Sequence, residues 1–295
     1  MRIAITGSSG LVGTALIKAI EARGDTAVRV VRGHAGSDDV SWNINEGTIE
    51  ADKLAGVDAV VHLAGAGIVD EKWSPERKKL VLESRTKGTA LMATTLAALG
   101  DKPRVFVSGS AIGFYGDRGN EVLTEQSPRG NGFLSDVVVA WEAEAQPAID
   151  AGIRTAFIRT GVVLSANGGA LKEQLPFFKV GIGGKIGDGK QYWSWVSITD
   201  EVNAILHIID SDLSGPVNLT SPNPSTNADF TKALGKALGR PTFMPTPKPA
   251  VQFRLGKEAA EEMLYFSARI QPEALLQSGF AFSHPTIEEA FNAIL

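Results

Sequence analysis

The amino-acid sequence predicts an α/β protein: a Rossmann-type, doubly wound parallel sheet with a smaller C-terminal lobe. Short apolar runs rich in β-branched residues alternate with amphipathic helical stretches over the first two-thirds of the chain. A glycine motif joins the first predicted strand to the first predicted helix. After about Ser165 the alternation gives way to glycine- and proline-rich segments. Strand–helix alternation of this kind is typical of a parallel sheet with right-handed crossovers.

The predicted strands are short and continuously apolar, which is typical of strands buried on both faces of a sheet. They span residues 2–6, 26–31, 57–63, 104–108 and 154–159. The main predicted helices lie between them, at 11–23, 74–99 and 131–151. Ser74 followed by Pro75 is a strong helix start, because a hydroxyl caps the first turn and proline presets its φ angle.

The sequence predicts two structural parts. Residues 1–165 form the sheet domain, and residues 190–220 are expected to return to it, with a helix at 199–209 and a strand at 216–219. The rest of 166–295 is expected to form mainly the smaller lobe. It contains a glycine-rich stretch from Gly181 to Gly189 and many prolines, yet it is too apolar to be disordered.

The composition excludes several classes of protein. The chain has 295 residues, with 33 acidic and 29 basic side chains and a net charge of −4; non-specific nucleic-acid binders usually carry a basic excess. Cysteine is absent, which excludes disulfides and thiolate zinc sites, and the histidines show no metal-ligand spacing. The longest apolar stretch, 57–69, is too short to cross a bilayer. We therefore expect a soluble, cytoplasmic protein without metal, membrane or nucleic-acid partner.

The strongest functional signal is the sequence Gly7-Ser8-Ser9-Gly10-Leu11-Val12-Gly13, between the first strand and the first helix. Glycines at this spacing let the chain turn sharply and bring backbone N–H groups against a pyrophosphate, which the helix N-terminus also favours. The alternative is a glycine-rich turn that binds nothing, and the strand–turn–helix context disfavours it. The residues predicted to bind a dinucleotide here are Gly7, Ser9, Gly10, Leu11, Val12 and Gly13.

The end of the second strand predicts NADP rather than NAD. An acidic residue about 20 positions after the glycines would accept from the ribose 2′-OH of NAD, whereas an arginine accommodates the 2′-phosphate of NADP. The chain reads Val28-Arg29-Val30-Val31-Arg32, with no carboxylate before Asp38. Arg32 stands where a phosphate clamp would stand; its alternative role is that of an ordinary surface residue.

Three segments resemble the extended short-chain dehydrogenases/reductases: residues 6–13, residues 58–65, and Ser108-Gly109-Ser110-Ala111 with Tyr115-Gly116. Further matches extend the resemblance over essentially the whole chain. They lie at 141–144, 159–164, 181–189 with Trp195, 237–241 and 279–280. Together they resemble the atypical, epimerase-like (YfcH-type) branch of the NAD(P)-dependent epimerase/dehydratase family. This resemblance implies a Rossmann domain, a bound nicotinamide dinucleotide and a small C-terminal substrate lobe.

The same resemblance implies further contacts with the cofactor. Leu63 and Ala64 would line its adenosine side, where the third predicted strand ends near the diphosphate. Arg85 stands where the extended family usually has asparagine, and it would either reach the cofactor or pair with a carboxylate. Gly161 and Val162 fall where the family contacts the nicotinamide end.

The sequence departs from the family at the catalytic residues. Extended enzymes use a serine or threonine, a tyrosine as the general acid/base, and a lysine four residues later that lowers the pKa of the tyrosine. The matching segment, 131–142, contains neither tyrosine nor lysine. Ser110 retains the serine role by position, with Ser108 as its rival. Ser108 is also predicted to contact the cofactor. Tyr115 is either a substitute acid or a structural residue of the Tyr-Gly turn.

Two functions follow from these observations. The first is an NADP(H)-binding, epimerase-like oxidoreductase that acts on a small substrate, with a nucleotide-linked compound as one candidate. The second is a non-catalytic regulatory protein that senses NADPH. The missing tyrosine–lysine pair favours the sensor, whereas the glycine-rich and aromatic segment from Gly181 to Trp195 favours the enzyme. Neither the substrate nor the oligomeric state follows from the sequence.

Overall fold

The computed structural model describes residues 1–33 and 36–295. Its strands are β1 (Arg2–Thr6), β2 (Thr26–Arg32), β3 (Val40–Asn43), β4 (Thr48–Ile49), β5 (Ala59–His62), β6 (Val105–Ala111), β7 (Val122–Leu123), β8 (Arg154–Thr160), β9 (Val162–Leu164), β10 (Tyr192–Trp193), β11 (Trp195–Ser197), β12 (Gly215–Leu219), β13 (Ser225–Thr226) and β14 (Arg269–Ile270). Its α-helices are α1 (Leu11–Ala22), α2 (Pro75–Ala98), α3 (Phe133–Ala143), α4 (Gln146–Asp150), α5 (Gly169–Lys179), α6 (Ile198–Asp210), α7 (Asn227–Leu238), α8 (Lys248–Leu255), α9 (Lys257–Ala260), α10 (Glu273–Gln277) and α11 (Ile287–Ile294). Single turns of 3₁₀-helix span Ala51–Leu54 and Ile112–Tyr115, and a π-helical turn spans Glu261–Tyr265.

An eight-stranded sheet in the order β12-β8-β6-β5-β1-β2-β3-β4 forms the centre of the molecule. The antiparallel pair β3–β4 closes one edge, and the other neighbouring strands pair in parallel. The chain runs from β1 outward to β4 and then returns to build the other half from β5. The direction of winding therefore reverses between β1 and β5, and open α/β sheets bind ligands at such a switch point. The predicted Rossmann-type, doubly wound parallel sheet is confirmed.

Helices cover both faces of the sheet because its strands are apolar on both sides. On one face, α1 and α6 pack against the strands through a core that includes Ile5, Leu16 and Ile205. On the other face, the core includes Val60, Met92 from α2, and Phe106. None of the helices in the described part of the chain combines the length and apolar character that crossing a membrane requires.

Two features of the sheet domain differ from the sequence prediction. The single helix predicted over 131–151 is two helices, because Pro147 lies in the first turn of α4, where its missing N–H costs nothing. The edge strands β3 and β4 were not predicted. They are only four and two residues long, too short to show a clear period-2 pattern.

The C-terminal lobe has its own apolar core, which includes Leu164, Phe178, Trp195, Phe230 and Phe291. Three two-stranded pairs, β9–β11, β10–β13 and β7–β14, join segments that are distant in sequence. The chain after β14 returns to the sheet domain. There Phe280 and Phe282 pack against the first sheet core, and the backbone N–H groups of Ser283 and His284 donate to the buried carboxylate of Asp200.

Candidate active site

The turn after β1 has the backbone geometry of a dinucleotide-binding loop. Gly7 has a φ angle of +67°, in the left-handed region, and a Cβ there would lie 2.9 Å from the carbonyl of Leu63. A Cβ on Gly13 would lie 2.2 Å from the carbonyl oxygen of Gly7. The Gly10 N–H donates to that same oxygen at 2.9 Å, which closes the turn. Gly7 and Gly13 are therefore required by the fold of the turn itself.

The N-terminus of α1 is the part of this turn that fits a diphosphate. Gly10 is the N-cap residue, and no side chain in the described part of the chain caps the helix. Ser9 and Gly10 are exposed, and Leu11 and Val12 are half-buried. Because the first N–H groups of a helix lack intrahelical partners and carry partial positive charge, an accessible, uncapped N-terminus suits a pyrophosphate. The residues present therefore fit the predicted cofactor.

Thr6 and His62 fix the neighbouring strand end. The Thr6 hydroxyl oxygen accepts from the backbone N–H groups of Leu63 and Ala64 at 3.0 and 3.1 Å, so it donates its own hydrogen to Nδ1 of His62 at 2.8 Å. Burial lowers the pKa of His62 to about 4, which keeps the ring neutral. Leu63 and Ala64 are thus held directly beside Gly7, as a cofactor site at this edge requires.

Arg32 is the last residue of β2 and is exposed at the same edge of the sheet as the glycine turn. Its register partner in β3 is Trp42, and β2 lies next to β1. Arg29, in the same strand, is also exposed but pairs in register with Ile5, three residues before the end of β2. Of the two arginines, Arg32 is the one that lies at the end of the strand.

Arg85 is buried in α2 and makes contacts that the sequence did not predict. Its Nη1 donates to the carbonyl oxygens of Ala66 and Val81 at 3.0 and 3.1 Å, and its guanidinium lies over the ring of Trp141. Burial, together with the charge of Arg77, lowers its pKa to about 10. Among the described residues no carboxylate pairs with Arg85, so the predicted alternative of an ion pair is not found there.

Gly161 lies between β8 and β9, and Val162 is the first residue of β9, at the carboxyl edge of the sheet. A Cβ on Gly161 would lie 2.6 Å from the carbonyl oxygen of Ser194, so this position requires glycine. The Gly161 N–H donates to Leu219, and the Val162 N–H donates to Ser194. Both backbone N–H groups are therefore already engaged, and these residues can present only their carbonyl groups and side chains to a ligand.

Ser110 belongs to a charged network on the face of the sheet that α3 covers. Its hydroxyl donates to Oε1 of Glu142 at 2.6 Å, and Arg159 donates to both oxygens of that carboxylate at 2.9 Å. Burial alone would lower the pKa of Arg159, but the bonds to Glu142 and its charge raise it above the usual value. Ser108 is completely buried, and its hydroxyl donates to the carbonyl oxygen of Gly109 at 3.4 Å; its contact with the cofactor stays a prediction.

Tyr115 does not present a free hydroxyl to this site. Its side chain is completely buried, and its hydroxyl donates to Oδ1 of Asn218 at 2.7 Å and accepts from Arg159 at 3.1 Å. Burial raises the pKa of Tyr115. The prediction of Tyr115 as a substitute acid therefore needs correction, because packing and hydrogen bonds hold the hydroxyl inside the core. The alternative, a structural residue of the turn, agrees with these contacts.

A cleft of ≈180 Å³ separates the N-terminus of α3 from the π-helical turn of the C-terminal lobe. Leu134 lines it on the side of the sheet domain, and Tyr265 and Phe266 line it on the other side. The remaining lining residues are Gly113, Gly116, Asp117, Asn131, Glu261 and Glu262. π-Helical turns are rare and are frequent at functional sites.

Sequence reasoning missed two acidic residues of this region. Glu142 lies in the segment 141–144, which is part of the family resemblance. That match marks the position of Glu142 but does not indicate a role for its carboxylate. Glu201 in α6 is buried, and burial raises its pKa to about 8. It accepts from Thr160 at 2.8 Å, and its second oxygen has no partner among the described residues. Within residues 1–33 and 36–295, no group of three or more acidic or histidine side chains could hold a metal ion.

Comparison with known proteins decides the family. The model of the NAD dependent epimerase/dehydratase family matches residues 3–219, which include the glycine turn and all of the eight-stranded sheet except Arg2. The chain belongs to this family. A second model, for a domain of unknown function (DUF1731), matches residues 246–294. The family resemblance of the motifs is thus confirmed.

The relatives of this epimerase-family chain span its whole length. The epimerase family protein Mb2239 of Mycobacterium bovis is 43% identical over 292 residues, which cover 98% of this chain and 96% of that protein. The crystal structure of human epimerase family protein SDR39U1 (isoform 2) with NADPH has a TM-score of 0.92 at 32% identity, covering 100% and 99% of the two chains. A nucleoside-diphosphate sugar epimerase from Corynebacterium glutamicum has a TM-score of 0.80 at 37% identity, covering 100% and 58%.

Proposed function

We propose that this protein is an NADP(H)-binding, epimerase-like oxidoreductase of the atypical extended short-chain dehydrogenase/reductase type. The observation that carries the proposal is the accessible, uncapped N-terminus of α1 behind the glycine turn, at the switch point of the sheet. A cytoplasmic location belongs to the proposal. So does the division into a cofactor domain, 1–165 with 190–220, and a substrate lobe formed mainly by 166–295.

The proposed cofactor site follows the carboxyl edge of the sheet. The residues assigned to it are Gly7, Ser9, Gly10, Leu11, Val12 and Gly13 for the diphosphate, Arg32 for the 2′-phosphate, Leu63, Ala64 and Arg85 for the adenosine side and the adjoining loop, and Gly161 and Val162 for the nicotinamide end. The NADPH in the human SDR39U1 crystal structure supports NADP as the cofactor. When bound, the cofactor supplies or accepts a hydride.

Ser110 is the proposed catalytic residue, and Glu142 positions it. Because the Ser110 hydroxyl hydrogen is donated to Glu142, the lone pairs of its oxygen are free to accept a hydrogen bond from a substrate hydroxyl. Arg159 donates one hydrogen bond to each oxygen of the Glu142 carboxylate. The carboxylate is therefore fixed, and the Ser110 hydroxyl that bonds to it keeps one orientation. A proton that leaves the substrate hydroxyl would therefore pass to the Ser110 oxygen as the hydrogen of Ser110 passes to Oε1 of Glu142.

The proposed substrate is a small molecule that enters the cleft between α3 and the C-terminal lobe. A nucleotide-linked compound is the more specific proposal. The Corynebacterium glutamicum structure described as a nucleoside-diphosphate sugar epimerase supports it. The acidic residues of the cleft, Asp117, Glu261 and Glu262, are unfavourable for a phosphate in that position, so the phosphates of such a compound would have to lie elsewhere.

The test measures NADPH binding first and turnover second. NADPH fluorescence is titrated with the wild type, Ser110→Ala, Glu142→Gln and Tyr115→Phe. The same proteins are then assayed against a panel of ketones, alcohols and nucleotide sugars. Ser110→Ala should reduce turnover by roughly 10²–10⁴-fold while NADPH still binds. Tyr115→Phe should leave turnover unchanged once its folding has been verified. Fast wild-type turnover that survives Ser110→Ala would contradict the assignment.

The sensor is a second candidate, favoured by the burial of Tyr115 and the absence of tyrosine and lysine from α3. A protein of this kind would bind NADPH tightly and use binding to change its contacts with a partner. Tight binding of NADPH together with no turnover across the whole panel would favour the sensor over the oxidoreductase.

A further inference from the structure

We infer that residues 248–265, from α8 through α9 to the π-helical turn, form a lid over the cleft beside α3, and that Glu262 is the latch that keeps it closed. These residues begin the segment that matches the domain of unknown function. The inference deepens the proposed function, because it identifies how a substrate would reach the cleft. Only the reason for opening, which is substrate entry, rests on the proposed function.

The latch is a carboxylate that caps a helix of the other part of the molecule. Both oxygens of Glu262 accept from the N-terminus of α3, one from the Phe133 N–H at 2.9 Å and the other from the Leu134 N–H at 2.8 Å. No side chain of α3 or its flanking residues caps this helix. Gly132 has a φ angle of +110°, and a Cβ there would lie 3.0 Å from the Glu262 carboxylate. The loop is therefore shaped around the latch.

The C-terminal end of the lid is anchored to the lobe: Leu264 and Tyr265 pack against the lobe core, and the Leu264 carbonyl oxygen accepts from Gln191 and Trp193.

Several other contacts of the lid with its surroundings are polar and accessible. Glu258 pairs with Lys78 of α2 at 2.5 Å, and both side chains are partly exposed. Lys72 lies over the ring of Phe253 at 4.9 Å, and Arg254 pairs with Glu173 of α5 at 2.5 Å. Exposed ion pairs and cation–π contacts of this kind are each weak. Apart from the anchored end at Leu264 and Tyr265, the lid is thus held at its margins by contacts that can break one by one.

Few residues of the lid are fully buried. Neither α8 nor the π-helical turn has a buried residue, and α9 buries only Ala259 and Ala260. Phe253 is 80% exposed. Segments with few buried apolar contacts open at much lower free energy than the core of a domain. The lid can therefore open while the sheet stays folded.

The backbone within the lid and just before it allows α8 to move relative to α9. Gly256 separates α8 from α9 with a φ angle of +87°, a conformation open to glycine at no steric cost. Pro245 and Pro247 precede α8 and keep its approach extended. The cleft of ≈180 Å³ is smaller than the ~300–1,000 Å³ of typical ligand pockets, so outward movement of the lid would make room for a larger ligand.

The test compares amide hydrogen exchange, followed by mass spectrometry, in the wild type, Glu262→Ala and Glu261→Ala. Glu261 is the matched control, because its carboxylate bonds only within the lid, to Lys248 and Gln252. In Glu262→Ala we expect exchange to accelerate by about tenfold or more in 248–265 and at Phe133 and Leu134, since charge-assisted hydrogen bonds to two N–H groups are lost. In Glu261→Ala, exchange at Phe133 and Leu134 should equal that of the wild type.

A thiol probe provides the second readout, because the chain has no cysteine. Leu134→Cys places a thiol in the cleft, and Asp136→Cys places one on the exposed side of the same helix. Alkylation by iodoacetamide at Leu134→Cys should be slow and should accelerate with Glu262→Gln, whereas Asp136→Cys should react fast in both backgrounds. Equal exchange in the wild type and Glu262→Ala overturns the latch. So does an increase that extends through β1 and β5, because Glu262 would then stabilise the whole fold. Neither readout uses substrate or turnover. The lid proposal can therefore be wrong while the proposed oxidoreductase function is right, and the lid proposal can be right while that function is wrong.

Discussion

The hydroxyl of Tyr115 donates a 2.7 Å hydrogen bond to the side-chain oxygen of Asn218, and this bond joins the turn after β6 to the edge strand β12. Arg159 donates to the same hydroxyl from β8. Asn218 is completely buried, and its side-chain N–H donates to the carbonyl oxygen of Gln271 at 3.1 Å. Tyr115, which the sequence suggests as a proton donor, thus joins three elements of the sheet domain: the turn after β6, β8 and β12.

Tyr115→Phe should lower the free energy of unfolding by about 1–3 kcal/mol, because the buried groups of Asn218 and Arg159 each lose a partner. NADPH affinity should not change. Urea unfolding and fluorescence titration measure the two quantities. Tyr192→Phe is the control, because the Tyr192 hydroxyl makes no hydrogen bond in the described part of the chain and its removal should leave stability nearly unchanged. Unchanged stability together with lost turnover in Tyr115→Phe would return this residue to the catalytic set.

Gly10→Val should weaken NADPH binding by about tenfold or more while the fold survives. A Cβ at this position would meet only the Gly7 carbonyl oxygen, at 3.2 Å, so its main effect is on the space in front of α1. Gly13→Ala differs, because its Cβ would overlap the same oxygen at 2.2 Å. It should therefore lower the melting temperature as well. Full NADPH affinity in Gly10→Val would mean that the diphosphate lies elsewhere.

Arg32→Ala should reduce the preference for NADPH over NADH. A charge-assisted contact with the 2′-phosphate is worth about 1.5–3 kcal/mol, so NADPH should bind roughly tenfold to a hundredfold more weakly and NADH should be unaffected. Calorimetry with both cofactors measures the difference. Arg29→Ala removes an equal charge from the same strand and should preserve the preference. A wild type that binds NADH as tightly as NADPH would remove Arg32 from this role.

Glu201→Gln should make stability less dependent on pH. Burial raises the pKa of Glu201 from 4.5 to about 8 in the folded chain, so between these values the folded state holds a proton that the unfolded state has released. The contribution of Glu201 is therefore fully present below about pH 4.5 and decreases as pH rises to about 8, by at most ~1.4 kcal/mol per pH unit.

Urea unfolding across this pH range should show Glu201→Gln gaining stability relative to the wild type as pH rises, with no further gain above about pH 8. The buried His62 has the opposite dependence: its folded pKa is lowered to about 4, so its contribution is lost as pH falls below 6.5. Both proteins retain His62, so its effect cancels in the comparison. A difference that does not vary with pH would show that Glu201 is ionised in the folded protein.

The sequence predicts those parts of the site that are local in the chain. The turn from Gly7 to Gly13 is one such part, because its strand, turn and helix are consecutive, and the position of Arg32 follows from the length of β2. The bond between Ser110 and Glu142 could not be predicted, since it depends on how α3 lies across β6. Nor could the burial of Glu201, because an acidic residue in the first turn of a helix is ordinarily exposed and favoured there by the helix dipole.

The position of β12 at the edge of the sheet has a consequence for synthesis on the ribosome. Strand β8 pairs with β6 on one side and with β12 on the other, but β12 follows only after β9, α5, β10, β11 and α6. A nascent chain that has not yet reached Gly215 therefore carries β8 with one side unpaired. Unpaired strand edges of this kind associate with other chains. We expect chaperones to hold the growing chain until this segment has emerged, and a chain truncated before Gly215 to aggregate rather than fold.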